Sequence, residues 1–95
     1  MIRSFATRAT ERFYREGKGT PFRGLDVSIA EELLAVLDSA TTLQDISPLR
    51  SVGLHKLTGV RKHQWAMTVN RRWRICFRFA GGDAFDVEIT DYHRG

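Results

Sequence analysis

Three segments in the second half of the chain repeat every two residues, with very little between them. Trp65, Met67 and Val69 alternate with Gln64, Ala66 and Thr68. Trp73, Ile75, Phe77 and Phe79 alternate with Arg74, Cys76 and Arg78, and Phe85, Val87 and Ile89 with Asp86, Glu88 and Thr90. That period is the side-chain period of a strand with one buried face. The connections, Asn70-Arg71-Arg72 and Gly81-Gly82-Asp83, read as turns, the second a hairpin signal. An antiparallel meander is therefore expected, with residues 54–57 a further short strand candidate. Its opposite face carries Thr68, Arg74, Cys76, Arg78, Asp86 and Glu88, open to solvent or ligand.

The shared apolar face needs cover, and the first half supplies it. Ile2-Arg3-Ser4-Phe5 alternates like a short strand. Thr7 caps a helix over about residues 8–16, with Ala9 and Phe13 on one side and Gly17 as its stop. Asp26 or Ser28 opens a second helix running to about Ala40, with Ile29, Leu33, Val36, Leu37 and Ala40 as its buried stripe. The expected fold class is α+β: a short N-terminal strand, two helices, then an antiparallel meander sheet packed on the helices. Ninety-five residues make one small domain, 1–95, burying roughly 60–65% of its unfolded surface.

Charge is segregated along the chain. No acidic residue stands between Asp45 and Asp83, yet Arg50, Lys56, Arg61, Lys62, Arg71, Arg72, Arg74 and Arg78 do. Asp26, Glu31, Glu32, Asp38 and Asp45 gather where Lys and Arg are missing, and Arg3, Arg8, Arg12, Arg15, Lys18 and Arg23 precede them. One positive surface and one negative patch follow. With a net charge of +4 and a pI near 9.8, the partner to consider first is a polyanion, and RNA in particular. No apolar run approaches the roughly 18 residues of a membrane span, and Met1-Ile2-Arg3-Ser4 does not open a signal peptide. The single cysteine, Cys76, cannot form an internal disulfide, which fits a reducing cytoplasm.

Metal-free RNA cleavage requires a base for the 2′-hydroxyl, an acid for the leaving 5′-oxygen, and a cation for the charge gathering on phosphorus. Histidine serves the first two and arginine the third. Arg74 lies mid-strand between inward-pointing Trp73 and Ile75, so its guanidinium is forced onto the polar face. The plainer reading pairs it with Asp86 or Glu88 across the sheet. Arg78, on the same face, suits a structural or phosphate-tracking role. His55, among leucines, is by pattern more often a core or edge residue, and His93 part of a frayed terminus. Tyr92 is either a base-stacking platform or a packing residue, and His63 a solvated loop histidine. Cys76 reads as a small packing residue rather than a nucleophile. No metal-ligand spacing, phosphate-binding glycine loop or serine elbow is present, so neither metal nor cofactor is expected.

The runs LHKLTG, QWAMTVNRRWRICFRF and GGDAFDVEITDYH resemble the HigB toxins of the RelE-like toxin–antitoxin superfamily. The likeness covers nearly the whole chain, and WRICF with the terminal DYH is its most specific part. It implies a RelE-like microbial ribonuclease fold and a metal-independent endoribonuclease that cleaves mRNA in the ribosomal A site, stopping translation and growth. It further implies neutralisation by a HigA-type helix-turn-helix antitoxin, through which operator DNA is met only indirectly. By motif position, His55 matches the family's active-site histidine, Arg74 its phosphate-binding arginine, and Asp91, Tyr92 and His93 its catalytic DYH. Thr58 departs from the pattern, because some members place a lysine just before that glycine. Either Lys56 or Arg61 then supplies the cation, or one electrostatic contribution is missing; strand alternation points Lys56 elsewhere unless the turn redirects it.

These matches imply a role for each residue. His93 and His55 are the acid–base pair, Arg74 stabilises the phosphorane, and Asp91 and Tyr92 orient the histidine or the substrate base. Lys56, Arg61, Lys62, Arg71, Arg72 and Arg78, with Arg8, Arg12 and Arg15, grip RNA phosphates. The alternative from another class is a non-catalytic RNA- or ribosome-binding module whose histidines are structural. A third reading is a scaffold for an acidic partner.

Overall fold

The computed structural model describes residues 1–17, 22–46 and 53–91. Helix α1 (Arg8–Glu16) opens where the Thr7 hydroxyl accepts the Thr10 amide hydrogen, and closes where Gly17, at φ +74°, donates to the Phe13 carbonyl. That left-handed conformation favours glycine over any residue carrying a Cβ. Helix α2 (Val27–Ser39) begins with the Asp26 carboxylate accepting the Ile29 amide hydrogen. The Asp26 amide in turn donates to Asn70 Oδ1 at 2.8 Å, tying the start of the helix to the sheet.

The buried stripe of α2 is rotated from the expected one. Ala30, Leu33, Leu34 and Leu37 face the core, with Ala40 at the helix end, whereas Ile29 is 38% exposed and Val36 only partly covered. The helix is apolar around much of its girth, so two overlapping stripes compete. Packing selects the one at i, i+3, i+4 and i+7 from Ala30. After α2, the Asp45 carboxylate accepts the amide hydrogens of Thr41 and Thr42 at 2.8 and 3.0 Å. These bonds, the Thr41 one foremost, hold its carboxyl below the usual carboxylate range.

The sheet is an antiparallel meander of β1 (His55–Lys56), β2 (Trp65–Asn70), β3 (Trp73–Ala80) and β4 (Asp83–Asp91), neighbours in that order. The first strand is thus shorter than residues 54–57. The N-terminal segment runs parallel to β4 but pairs with it through two isolated bridges, Ile2↔Ala84 and Phe5↔Val87, in place of a regular strand.

The cause is a bulge in β4. Between the pairs Cys76↔Glu88 and Arg78↔Phe85, three steps of β4 oppose two of β3, and Asp86 takes φ +55°. The Asp86 amide leaves the ladder and donates to Ser4 Oγ at 2.8 Å. The extra residue also shifts the phase of the strand. Phe85, expected in the core, sits opposite Arg78 on the other face, its ring centroid 5.5 Å from the guanidinium carbon. Ala84, Val87 and Ile89 fill the core instead.

That core joins Phe13, Leu34, Leu37 and Ile46 to Met67, Ile75, Phe77 and Val87. Thr10 is buried among them. Its hydroxyl accepts the Ile89 amide hydrogen at 3.0 Å, satisfying an edge donor of β4 that no strand reaches. A smaller cluster of Leu57, Ala66 and Cys76 closes part of the opposite face. Cys76, on that face, is fully buried as a packing residue, and that burial pushes its thiol up. Among the described residues, no helix is long and apolar enough to cross a membrane.

Candidate active site

Cross-strand partners share a face of the sheet, so the register places each candidate side chain. One row runs His55, Ala66, Cys76, Glu88, and the next runs Thr68, Arg74, Thr90. His55 and Arg74 therefore project from the same face, away from the helices. Two strand spacings and one two-residue step separate their Cα atoms by about 12 Å.

His55 is exposed at the sheet edge, and its Nδ1 lies 2.9 Å from the Gly53 carbonyl. A carbonyl only accepts, so Nδ1 carries the hydrogen and a neutral ring keeps its lone pair on Nε2, where a general base needs it. Gly53 itself, at φ +56°, is pressed against β2: a Cβ there would stand 3.3 Å from Thr68 Oγ1.

Arg74 is half-buried. Its Nη1 donates to the carbonyls of Arg71 at 2.6 Å and Trp73 at 3.1 Å, drawing the guanidinium toward the turn that joins β2 and β3. The carboxylates proposed as its cross-sheet partners are engaged by other arginines: Asp86 by Arg78 at 2.8 Å and Glu88 by Arg61 at 3.3 Å.

Arg61 belongs to the 3₁₀ turn Gly59–Arg61, and it also donates to Gln64 Oε1 at 2.9 Å. Its reach to Glu88 latches the β1–β2 connection across the face that carries His55. Lys56 pairs opposite Trp65 and so belongs to the other face. Of the two cations considered beside Thr58, Arg61 is the one turned toward His55's side. Lys62 and His63 are exposed, and with Lys56 they rim a groove of about 490 Å³ floored by Leu57.

Asp91 ends β4 opposite Trp73, which puts it on the helix side of the sheet rather than on Arg74's side. Its carboxylate lies 3.1 Å from Arg72 Nε. Tyr92 and His93 lie outside the described residues. Arg71 is exposed at the β2–β3 turn with φ +43°, and Arg78 stands at the far end of the open face over Phe85.

The sequence offered Glu88 only as a partner of Arg74, and the folded-back 3₁₀ turn makes it a latch for Arg61 instead. Arg23 stood among the basic residues ahead of α2 and was given no place in the site. Its carbonyl accepts the Trp73 indole hydrogen at 2.8 Å, bringing it to the β2–β3 turn fifty residues later.

Comparison with known proteins agrees with this architecture. Residues 3–93 match the family of RelE-like toxins of the type II toxin–antitoxin system HigB. The chain is also 32% identical over 93 residues to "Endoribonuclease HigB" of Proteus vulgaris, an alignment covering 98% of this chain and 100% of that protein. With nearly every residue inside both matches, the chain belongs to the HigB family of RelE-like toxins.

Proposed function

We propose that this chain is the toxin of a type II toxin–antitoxin pair and an endoribonuclease that cuts mRNA without a metal ion. Family membership, and similarity along its length to a protein named as an endoribonuclease, support the activity. The placement of His55 and Arg74 on one open face supports the site.

In the proposed reaction a base takes the proton of a 2′-hydroxyl, and that oxygen bonds to the adjacent phosphorus. The bond from phosphorus to the 5′-oxygen breaks, and an acid delivers a proton to the leaving oxygen. The products are a 2′,3′-cyclic phosphate and a 5′-hydroxyl. His55 and His93 share the acid and base roles, and Arg74 stabilises the charge on the pentacoordinate phosphorus. Asp91 and Tyr92 orient His93 or the substrate base. β4 ends opposite Trp73, one residue before Arg74, so the described chain stops beside that arginine.

The substrate is mRNA, in the ribosomal A site, and its loss stops translation and growth. A HigA-type helix-turn-helix antitoxin neutralises the toxin in the cytoplasm and alone contacts operator DNA. Lys56, Lys62, Arg71 and Arg72, all exposed, grip RNA phosphates and make binding salt-dependent.

The test is to incubate the protein with a defined mRNA in a chelating buffer, with and without programmed ribosomes, and to identify the new ends. Cyclic phosphate ends, blocked by a 2′-deoxy nucleotide at the cut, are expected. RNA that binds but stays intact under both conditions would make the chain a binding module. Ends bearing a 5′-phosphate would overturn the mechanism.

A further inference from the structure

Arg23, Gly24, Arg71, Arg72 and Trp73 line a cleft of about 340 Å³ beside the β2–β3 turn. Its position is built rather than incidental. Asn70 donates to the Gly24 carbonyl at 2.9 Å and accepts the Asp26 amide hydrogen, and the Trp73 indole donates to the Arg23 carbonyl at 2.8 Å. Phe22 packs edge-on against the Trp73 ring, with centroids 5.6 Å apart. The 22–26 segment, far away in sequence, is thereby fastened to the turn, and Arg23 is delivered beside Arg71 and Arg72.

Three arginines line this cleft, and one carboxylate, Asp91, answers them through Arg72. Three positive charges less one negative leave a local excess of two. Neither Arg23 nor Arg71 has an acidic partner among the described residues. Arginine forks match phosphate oxygens in a way that isolated ammonium groups do not, and the indole gives the cleft an apolar wall against which a ribose can rest.

The cleft also stands in a definite relation to Arg74. Trp73 and Arg74 are adjacent in β3, so their side chains leave opposite faces of the sheet. Arg74 nonetheless reaches back to the Arg71 carbonyl, so its guanidinium flanks the same two-residue turn from the other side. A strand held at Arg74 and led across Arg71 and Arg72 arrives at Arg23.

We propose that the Arg23–Arg71–Arg72–Trp73 cleft is a phosphodiester subsite, holding the RNA backbone on the far side of the β2–β3 turn from the scissile linkage. This rests on the nuclease reading for the location of that linkage, but the binding it describes does not need cleavage. The cleft would govern capture of the strand, while the chemistry stays with the open face.

The experiment is equilibrium binding of a short single-stranded RNA made uncleavable by 2′-O-methylation, across a range of salt concentrations. Wild type, Arg23→Ala and Arg23→Lys are compared, with thermal melts to confirm folding. The carbonyl that holds Trp73 belongs to the backbone, so it survives either substitution. Loss of one phosphate contact should reduce the slope of log K against log salt by about 0.7 and weaken binding about fivefold at 0.1 M salt. Arg23→Lys should restore most of the slope. With cleavable RNA, Arg23→Ala should raise KM and leave kcat unchanged.

An unchanged slope and affinity in Arg23→Ala would overturn the subsite, even if the wild type cuts RNA. A normal slope change in a protein that never cuts would keep the subsite and discard the nuclease reading. Equal losses in kcat and kcat/KM would place Arg23 in the chemistry and contradict a capture role.

Discussion

Arg74 and His55 project from the same face of the sheet, on β3 and β1, with β2 between them. Neither bulge of the sheet falls between their rows, so the pairing from Ala66↔Cys76 to Thr68↔Arg74 keeps both side chains in phase. A one-residue slip in either strand would send one of them into the helices.

The role proposed for His55 predicts that His55→Gln folds normally and cuts RNA 10²- to 10⁴-fold more slowly, in the range of a lost general acid or base. The residue is exposed, and its bond to Gly53 joins positions only two apart at the sheet edge, so stability should be unmoved. Melting temperature and single-turnover cleavage rate, measured together, check both halves.

Thr10→Val keeps the shape of a buried side chain and removes the hydroxyl that accepts the Ile89 amide hydrogen. An orphaned buried donor costs about 1–3 kcal/mol. Urea denaturation should show a loss of that size with an unchanged slope, and an unaltered midpoint would mean that the donor finds another acceptor.

Asp86, at φ +55°, occupies a conformation that β-branched residues rarely tolerate. Asp86→Val should destabilise the fold by about 1–3 kcal/mol. Asp86→Gly should be close to neutral, because it removes the strain along with a half-exposed ion pair to Arg78 worth about 0–1 kcal/mol. Equal losses in the two variants would show that the ion pair, and not the backbone, matters at the bulge.

Acid should weaken the fold partly through Asp45. Its carboxyl is held below the usual range by the Thr41 and Thr42 amides, so the folded state favours the ionised form. That contribution is fully present above the ordinary value of about 3.9 and disappears as pH falls through the lower, folded value. The melting temperatures of wild type and Asp45→Asn should differ most near neutrality and converge in strong acid. A gap that widens on acidification would reverse the assignment.

The helix boundaries were legible because single residues encode them. Thr7, Gly17 and Asp26 each do one local job, and each does it here. The meander was legible for a similar reason, since short turns between alternating segments leave no other connection. The bulge was not. DAFDVEI reads as unbroken alternation, and nothing in it shows that Asp86 will step out of the ladder to meet Ser4. Phe85 changed faces as a result.

The candidate site divides along the same line. Arg74's face follows from strand period alone. The engagement of Glu88 by Arg61, of Asp91 by Arg72, and the delivery of Arg23 to the turn are contacts between distant segments. No local pattern specifies them.

The central claim is that Arg74 and His93 serve one scissile phosphodiester. A double-mutant cycle on single-turnover mRNA cleavage tests this most directly, using Arg74→Ala, His93→Ala and the pair together, each confirmed as folded. Each single change should lower the rate several hundredfold, about 3–4 kcal/mol for a lost transition-state donor. The double variant should be scarcely slower than the worse single one, because groups acting on one reaction step fail together. Wild-type cleavage by either single variant, or losses that simply multiply in the double, would contradict a shared linkage.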